Sequence, residues 1–126
     1  MHKTMKHDDK VSYTQIEEAR ALMIMYATKT VESEKTIERK LVEKMKACGG
    51  LCIKLLTYQF IGLPDRMCLF PNGKVVFVEL KTTGEKPKKI QLSVHNKLKA
   101  LGFRVEVIDT TEGVMNLVNE VVNLPF

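Results

Sequence analysis

The run Val75-Val76-Phe77-Val78, closing in Glu79-Leu80-Lys81, constrains this chain more than any other stretch. It is apolar at successive positions, not alternate ones, which predicts a strand buried on both faces. Side-chain alternation places Glu79 and Lys81 on the face that carries Val75 and Phe77. A carboxylate and an ammonium at the end of a buried strand are costly unless they pair or engage a ligand.

The elements around that strand follow from periodicity and punctuation. Tyr13 to Thr30 carries Ile16, Ala19, Leu22, Met23 and Tyr26, the broad apolar side of a helix. Residues 1–12 are expected to be a disordered, polar lead. Ser33 is a good N-cap for a second helix through Cys48, and Gly49-Gly50 closes it. On that helix Ile37, Leu41, Met45 and Cys48 form one stripe, with Glu34 near the middle of its direction and Glu38 at its edge. Leu51 to Tyr58 reads as a first strand and Arg66 to Phe70 as a second. Pro71-Asn72-Gly73 turns the chain into a third strand, Lys74 to Leu80. Pro87 suits the first turn of a helix that runs to about Leu101 and ends at Gly102. Phe103 to Ile108 is a fourth strand, and Thr110 or Thr111 caps a last helix to about Asn123. The expected class is α/β, with residues 13–126 forming one domain.

Composition sets looser bounds. The 126 residues carry a net charge of +5, compatible with an anionic partner but weak evidence alone. Its distribution is more telling. From Lys81 to Arg104 the cations are Lys81, Lys86, Lys88, Lys89, Lys97, Lys99 and Arg104, against Glu85. Such a run is also compatible with a solvated helix face. Cys48, Cys52 and Cys68 are odd in number and lack CxxC spacing, which argues for core thiols in a reducing compartment. Residues 1–10 do not read as a signal peptide, and no apolar run is long enough to span a membrane.

Asp65 begins the second strand and Glu79 ends the third, across a short turn, so an antiparallel pairing can set them side by side. Two carboxylates from neighbouring strands, with the Leu80 backbone carbonyl, suit a hard cation such as Mg²⁺ or Mn²⁺. Such an ion lowers the pKa of bound water and withdraws charge from a phosphate. Lys81 can orient the attacking water or neutralise developing charge. Glu34 can supply a third carboxylate, with Glu38 its rival. Gln91 can hydrogen-bond the water or the scissile phosphate, and Lys54, Lys88, Lys89 and His95 can contact flanking phosphates. The plainer alternatives are Asp65 as a turn residue after Pro64 and Glu79 with Lys81 as a surface ion pair.

The order and spacing of Glu34-x-x-Ile37-x-x-x-Leu41, Gly49-Gly50, Lys54, Gly62-x-Pro64-Asp65-Arg66, Val76-x-Val78-Glu79-Leu80-Lys81, Gln91 and Leu98-x-x-Leu101-Gly102-Phe103 resemble the VRR-NUC domain. That family belongs to the PD-(D/E)xK, or restriction-endonuclease-like, nucleases. The match covers about residues 33–122 and leaves the helix at 13–30 as an addition. The resemblance implies an αβββαβ core with a mixed four-stranded sheet flanked by helices. It implies a Mg²⁺- or Mn²⁺-dependent DNA endonuclease of the standalone type found in phage and bacterial genomes, working in the cytoplasm. Asp65 and Glu79 map onto the metal ligands, Lys81 onto the catalytic lysine, and Glu34 and Gln91 onto the family's first-helix acid and glutamine. Standalone members resemble dimeric Holliday-junction resolvases, so the implied partners are branched DNA and a second copy of the chain.

Overall fold

A computed structural model describes residues 11–28 and 30–125, without the side chains of residues 25–28. Most of the expected lead, residues 1–10, lies outside the described residues. The chain divides into two units between Thr30 and Val31. The first contains helix α1, Tyr13–Thr28. Ser12 caps it reciprocally with Gln15: the Gln15 N–H donates to the Ser12 hydroxyl, and the Ser12 N–H donates to the Gln15 side-chain oxygen.

The second unit runs α2 (Glu34–Ala47), β1 (Leu51–Lys54), β2 (Arg66–Leu69), a 3₁₀ turn (Pro71–Gly73), β3 (Val75–Leu80), α3 (Lys89–Ala100), β4 (Arg104–Ile108) and α4 (Thr111–Asn123). The strands form one sheet in the order β1-β2-β3-β4. The first two pairings are antiparallel and β3 with β4 is parallel. This is the expected α/β architecture, a mixed four-stranded sheet flanked by helices.

Each boundary has a local cause. The Ser33 hydroxyl accepts the Thr36 N–H and caps α2 as expected. Thr110, not Thr111, caps α4 by accepting the Gly113 N–H. The β2–β3 turn places Asn72 at φ 70°, a left-handed conformation that asparagine tolerates better than most residues. β1 stops at Lys54, four residues short of the expected end. Leu55 still donates its N–H to the Asp65 carbonyl, but Leu56, Tyr58, Phe60 and Ile61 turn out into solvent.

The two sheet faces differ. One packs Cys68, Val76, Val78, Leu80 and Ile108 against Ile37, Leu41 and Met45 of α2 and Val114, Leu117, Val118 and Val121 of α4. Cys48 and Cys52 border this core, and all three cysteines are free thiols. The other face carries Phe77, whose ring meets Phe103 edge-on with centroids 5.5 Å apart. Val94 and His95 are the buried residues of α3, and Gln91 of α3 reaches Glu79 on this face. β3 is covered from both sides: Val76 to Leu80 are all buried.

Candidate active site

Strand register brings the two predicted carboxylates together. The last β2–β3 pair is Arg66 with Val78, so one step further along sets Asp65 opposite Glu79. The Phe70 N–H to Lys74 carbonyl bond fixes the phase of this ladder. It makes Asp65 and Glu79 a non-hydrogen-bonded pair, the kind whose Cα atoms lie about 4.5 Å apart with side chains on one face. The Asp65 Oδ2 accepts the Leu80 N–H at 2.7 Å. In extended backbone a residue's N–H and C=O face the same neighbour, so the Leu80 carbonyl opens toward β2 as well.

Glu79 is 1% exposed. Its Oε1 accepts the Gln91 Nε2–H at 3.1 Å and lies 3.6 Å from Lys81 Nζ. Its Oε2 lies 3.4 Å from His95 Nε2, and neither of these two atoms has a hydrogen-bond partner. Burial first, then the Asp65 charge beside it, push the Glu79 carboxyl up to about 8, with Lys81 opposing.

Helix α2 overhangs the same end of the sheet. The Glu34 N–H donates to the Thr82 hydroxyl just beyond Lys81. The Glu34 carboxyl is raised by burial, by Asp65 and more weakly by Glu38 and Glu85, while Lys81 opposes the rise. Its side chain is exposed, so Glu34 is aimed past the core stripe and not into it. Glu38 is committed elsewhere: its carboxylate lies 3.5 Å from the Arg66 guanidinium. Arg66 also donates to the Cys52 carbonyl at 3.3 Å, which ties α2 to β1 and β2. Thr83 continues the tether. Its hydroxyl accepts the Glu32 N–H and donates to the Asp109 carbonyl, fixing the segment after Lys81 to the start of α2 and the end of β4.

Gly62 explains how Asp65 and α3 come to share a site. It sits at φ +95°, and a Cβ there would lie 2.8 Å from both the Ile90 carbonyl oxygen and a Val94 methyl. Only glycine lets the loop before Asp65 pack this closely on α3.

Two expectations change. His95 is 2% exposed, which rules out a phosphate contact, because the imidazole faces Glu79 and not solvent. Gln91 uses both ends of its amide inside the protein: Nε2 donates to Glu79 and Oε1 accepts the Lys88 N–H at 2.8 Å. The structure therefore engages it as a brace for Glu79. A signal for both was present in the sequence. Gln91, Val94, His95 and Leu98 follow the i, i+3, i+4, i+7 stripe that marks the covered face of a helix. Lys54, Lys88 and Lys89 are exposed. Lys54 ends β1 opposite Arg66 and the two lysines open α3, so all three stand at the end of the sheet that holds Asp65 and Glu79. Arg104 is drawn off by Glu106 and Glu120, at 2.9 and 3.0 Å.

The donor set is open. Among the described residues, no three His, Cys, Asp or Glu side chains converge as a ligand cage. Asp65 and Glu79 instead form a two-carboxylate edge in which Glu79 keeps a buried oxygen without a hydrogen-bond partner. That fits Mg²⁺ or Mn²⁺, hard cations that suit carboxylate and water ligands. Mg²⁺ in particular keeps several waters and takes one or two carboxylates.

A mixed four-stranded sheet flanked by helices, with Asp65, Glu79 and Lys81 at one end, is the arrangement expected of a restriction-endonuclease-like fold. No family model matches it. A solved VRR_NUC domain aligns with 97% of its own length and 70% of this chain, at 30% identity and a TM-score of 0.63. A protein of Acyrthosiphon pisum secondary endosymbiont phage 1, named "Putative nuclease p44", is 43% identical over 79 residues, 63% of this chain and 85% of that protein. The chain belongs to the VRR_NUC domain family.

Proposed function

We propose that this chain is a divalent-metal-dependent DNA endonuclease that hydrolyses phosphodiester bonds in branched DNA, in the manner of a Holliday-junction resolvase. The observation that carries this reading is the buried Glu79 carboxylate, set opposite Asp65 and 3.6 Å from Lys81 Nζ. Asp65, Glu79 and the Leu80 carbonyl would hold Mg²⁺ or Mn²⁺. When bound, that ion supplies positive charge to the phosphate and lowers the pKa of its water.

The chain's own groups do the rest. Lys81 places an ammonium beside Glu79, where it stabilises charge developing on phosphorus-bound oxygens. Glu34 orients water from the α2 side. Gln91 keeps Glu79 in plane, and Lys54, Lys88 and Lys89 hold flanking phosphates. The names of the phage relative and of the family support nuclease activity here. A net charge of +5 on 126 residues supports affinity through phosphates. No recognition helix or zinc module stands out in the sequence, which favours specificity from DNA shape. We further propose a homodimer, because a symmetric four-way junction needs two sites to be cut in pairs.

The test is cleavage of labelled four-way junction, fork, flap, duplex and single-stranded DNA with Mg²⁺, Mn²⁺ or EDTA. Paired, metal-dependent cuts in the junction support the proposal. Equal cutting of all substrates retains the nuclease and discards shape selectivity. Salt-sensitive binding to DNA without cutting would identify a silent binding module instead.

A further inference from the structure

Glu79 and His95 are the buried polar side chains of the described residues, at 1% and 2% exposure, and they face each other. The contact is His95 Nε2 to Glu79 Oε2 at 3.4 Å, and each atom is otherwise without a hydrogen-bond partner. A buried imidazole is costly unless it is satisfied. An apolar residue would fill this space on α3 at less cost if packing were all that the position required.

We propose that His95 is a positioning residue for the Glu79 carboxylate, completing with Gln91 a two-point brace that sets the carboxylate plane for a divalent cation. The inference rests on the metal-site reading of Asp65 and Glu79. Gln91 and His95 are four residues apart on α3, so they stand one above the other on the same helix face. Gln91 takes Oε1, through an Nε2–H bond of 3.1 Å, and His95 faces Oε2. A carboxylate has about four acceptor sites on its two oxygens. One on each oxygen can go to the helix while the remaining ones point to a cation.

The brace is itself fixed. The Gln91 side-chain oxygen accepts the Lys88 N–H at 2.8 Å, and Val94, between the two braces in sequence, packs against Gly62. The 3.4 Å contact is close but misaligned for a hydrogen bond, so the imidazole must turn toward Oε2 as well as approach by roughly 0.3 Å to make an ordinary N–H···O bond. Active-site hydrogen bonds are often long before a ligand arrives and tighten when it does.

The experiment measures Mn²⁺ binding to the full chain without DNA, by electron paramagnetic resonance of the free ion. Wild type is compared with His95→Gln, His95→Phe, His95→Asn and Asp65→Asn, each checked for folding by thermal melting. Glutamine carries an amide out to the Nε2 position, asparagine only to Nδ1, and phenylalanine fills the ring volume with no donor. The proposal predicts that His95→Phe and His95→Asn weaken Mn²⁺ binding about 10–100-fold, the usual effect of removing a partner behind a metal ligand, while His95→Gln retains most of the affinity. Wild-type affinity in folded His95→Phe overturns the proposal and makes His95 a packing residue. Should His95→Phe fail to fold, the amide pair decides: retention in Gln with loss in Asn supports the brace, and equal affinity overturns it. No Mn²⁺ binding by wild type, or unchanged binding in Asp65→Asn, overturns the metal-site reading itself and this inference with it.

Discussion

The Asp65 carboxylate accepts the backbone N–H of Leu80 at 2.7 Å, so the side chain that acts electrostatically on Glu79 also closes the end of the β2–β3 ladder. This dual use separates Asn from Ala at the position. Asp65→Asn keeps an acceptor for Leu80 and removes a charge, so its melting temperature in EDTA should equal or exceed that of wild type. Asp65→Ala orphans a buried N–H and should lose about 1–3 kcal/mol of stability. Chemical denaturation of the two variants checks this.

The raised Glu79 carboxyl gives a pH signature. Its folded value of about 8 lies above the ordinary carboxylate value of 4.5, so the folded state holds a proton that the unfolded state has lost. The stability that Glu79 contributes is therefore fully present below about 4.5 and is lost as pH rises through about 8. Urea midpoints of metal-free protein should fall across that window. Glu79→Gln, which cannot ionise, should show a flatter profile and exceed wild type at the alkaline end.

Gln91 braces Glu79 and caps α3 at once. Gln91→Ala should lower Mn²⁺ affinity about 10–100-fold and also destabilise the helix start by about 1 kcal/mol. Calorimetric titration and thermal melting read the two effects separately. A loss of affinity without a loss of stability would assign the Lys88 contact no energetic role.

Gly62→Ala tests the close approach that joins the Asp65 loop to α3. At φ +95°, with a Cβ 2.8 Å from backbone oxygen, alanine is strained by both torsion and contact, and a loss of more than about 1 kcal/mol is expected. Hydrogen exchange should quicken in α3 and in residues 55–65 before the β2–β3 hairpin responds.

Much of this site is legible in the sequence because it lies on regular elements. An apolar run, a Pro-Asn-Gly turn and strict alternation suffice to place Asp65 opposite Glu79, and the structure keeps that register. The misses have physical causes. The chain beyond Lys54 has strand-like apolar residues, Leu55, Leu56 and Tyr58, but leaves the sheet there. Composition cannot reveal that departure, which the tight packing of Gly62 on α3 accompanies. His95 sits in a lysine-rich helix and reads as basic surface until its turn-by-turn alignment with Gln91 and Val94 is taken into account. Glu34 and Glu38 are one turn apart, and only the position of Arg66 draws Glu38 away and leaves Glu34 to the site. The tether through Thr83, Glu32 and Asp109 joins residues far apart in sequence, and no local pattern announces it.

The proposed function requires Asp65, Glu79 and Lys81 to act as one metal-dependent phosphodiesterase site. The most direct measurement is single-turnover cleavage of a labelled four-way junction by wild type, Asp65→Asn and Lys81→Ala, with Mn²⁺ or with EDTA, together with DNA binding by each. Wild type should cut the junction, and EDTA should stop it. Asp65→Asn should show no detectable cutting and Lys81→Ala a rate at least about 10²-fold lower, with DNA binding close to wild type in both. Cleavage that survives EDTA, or that persists in both variants, would show that these three residues are not a metal-dependent site.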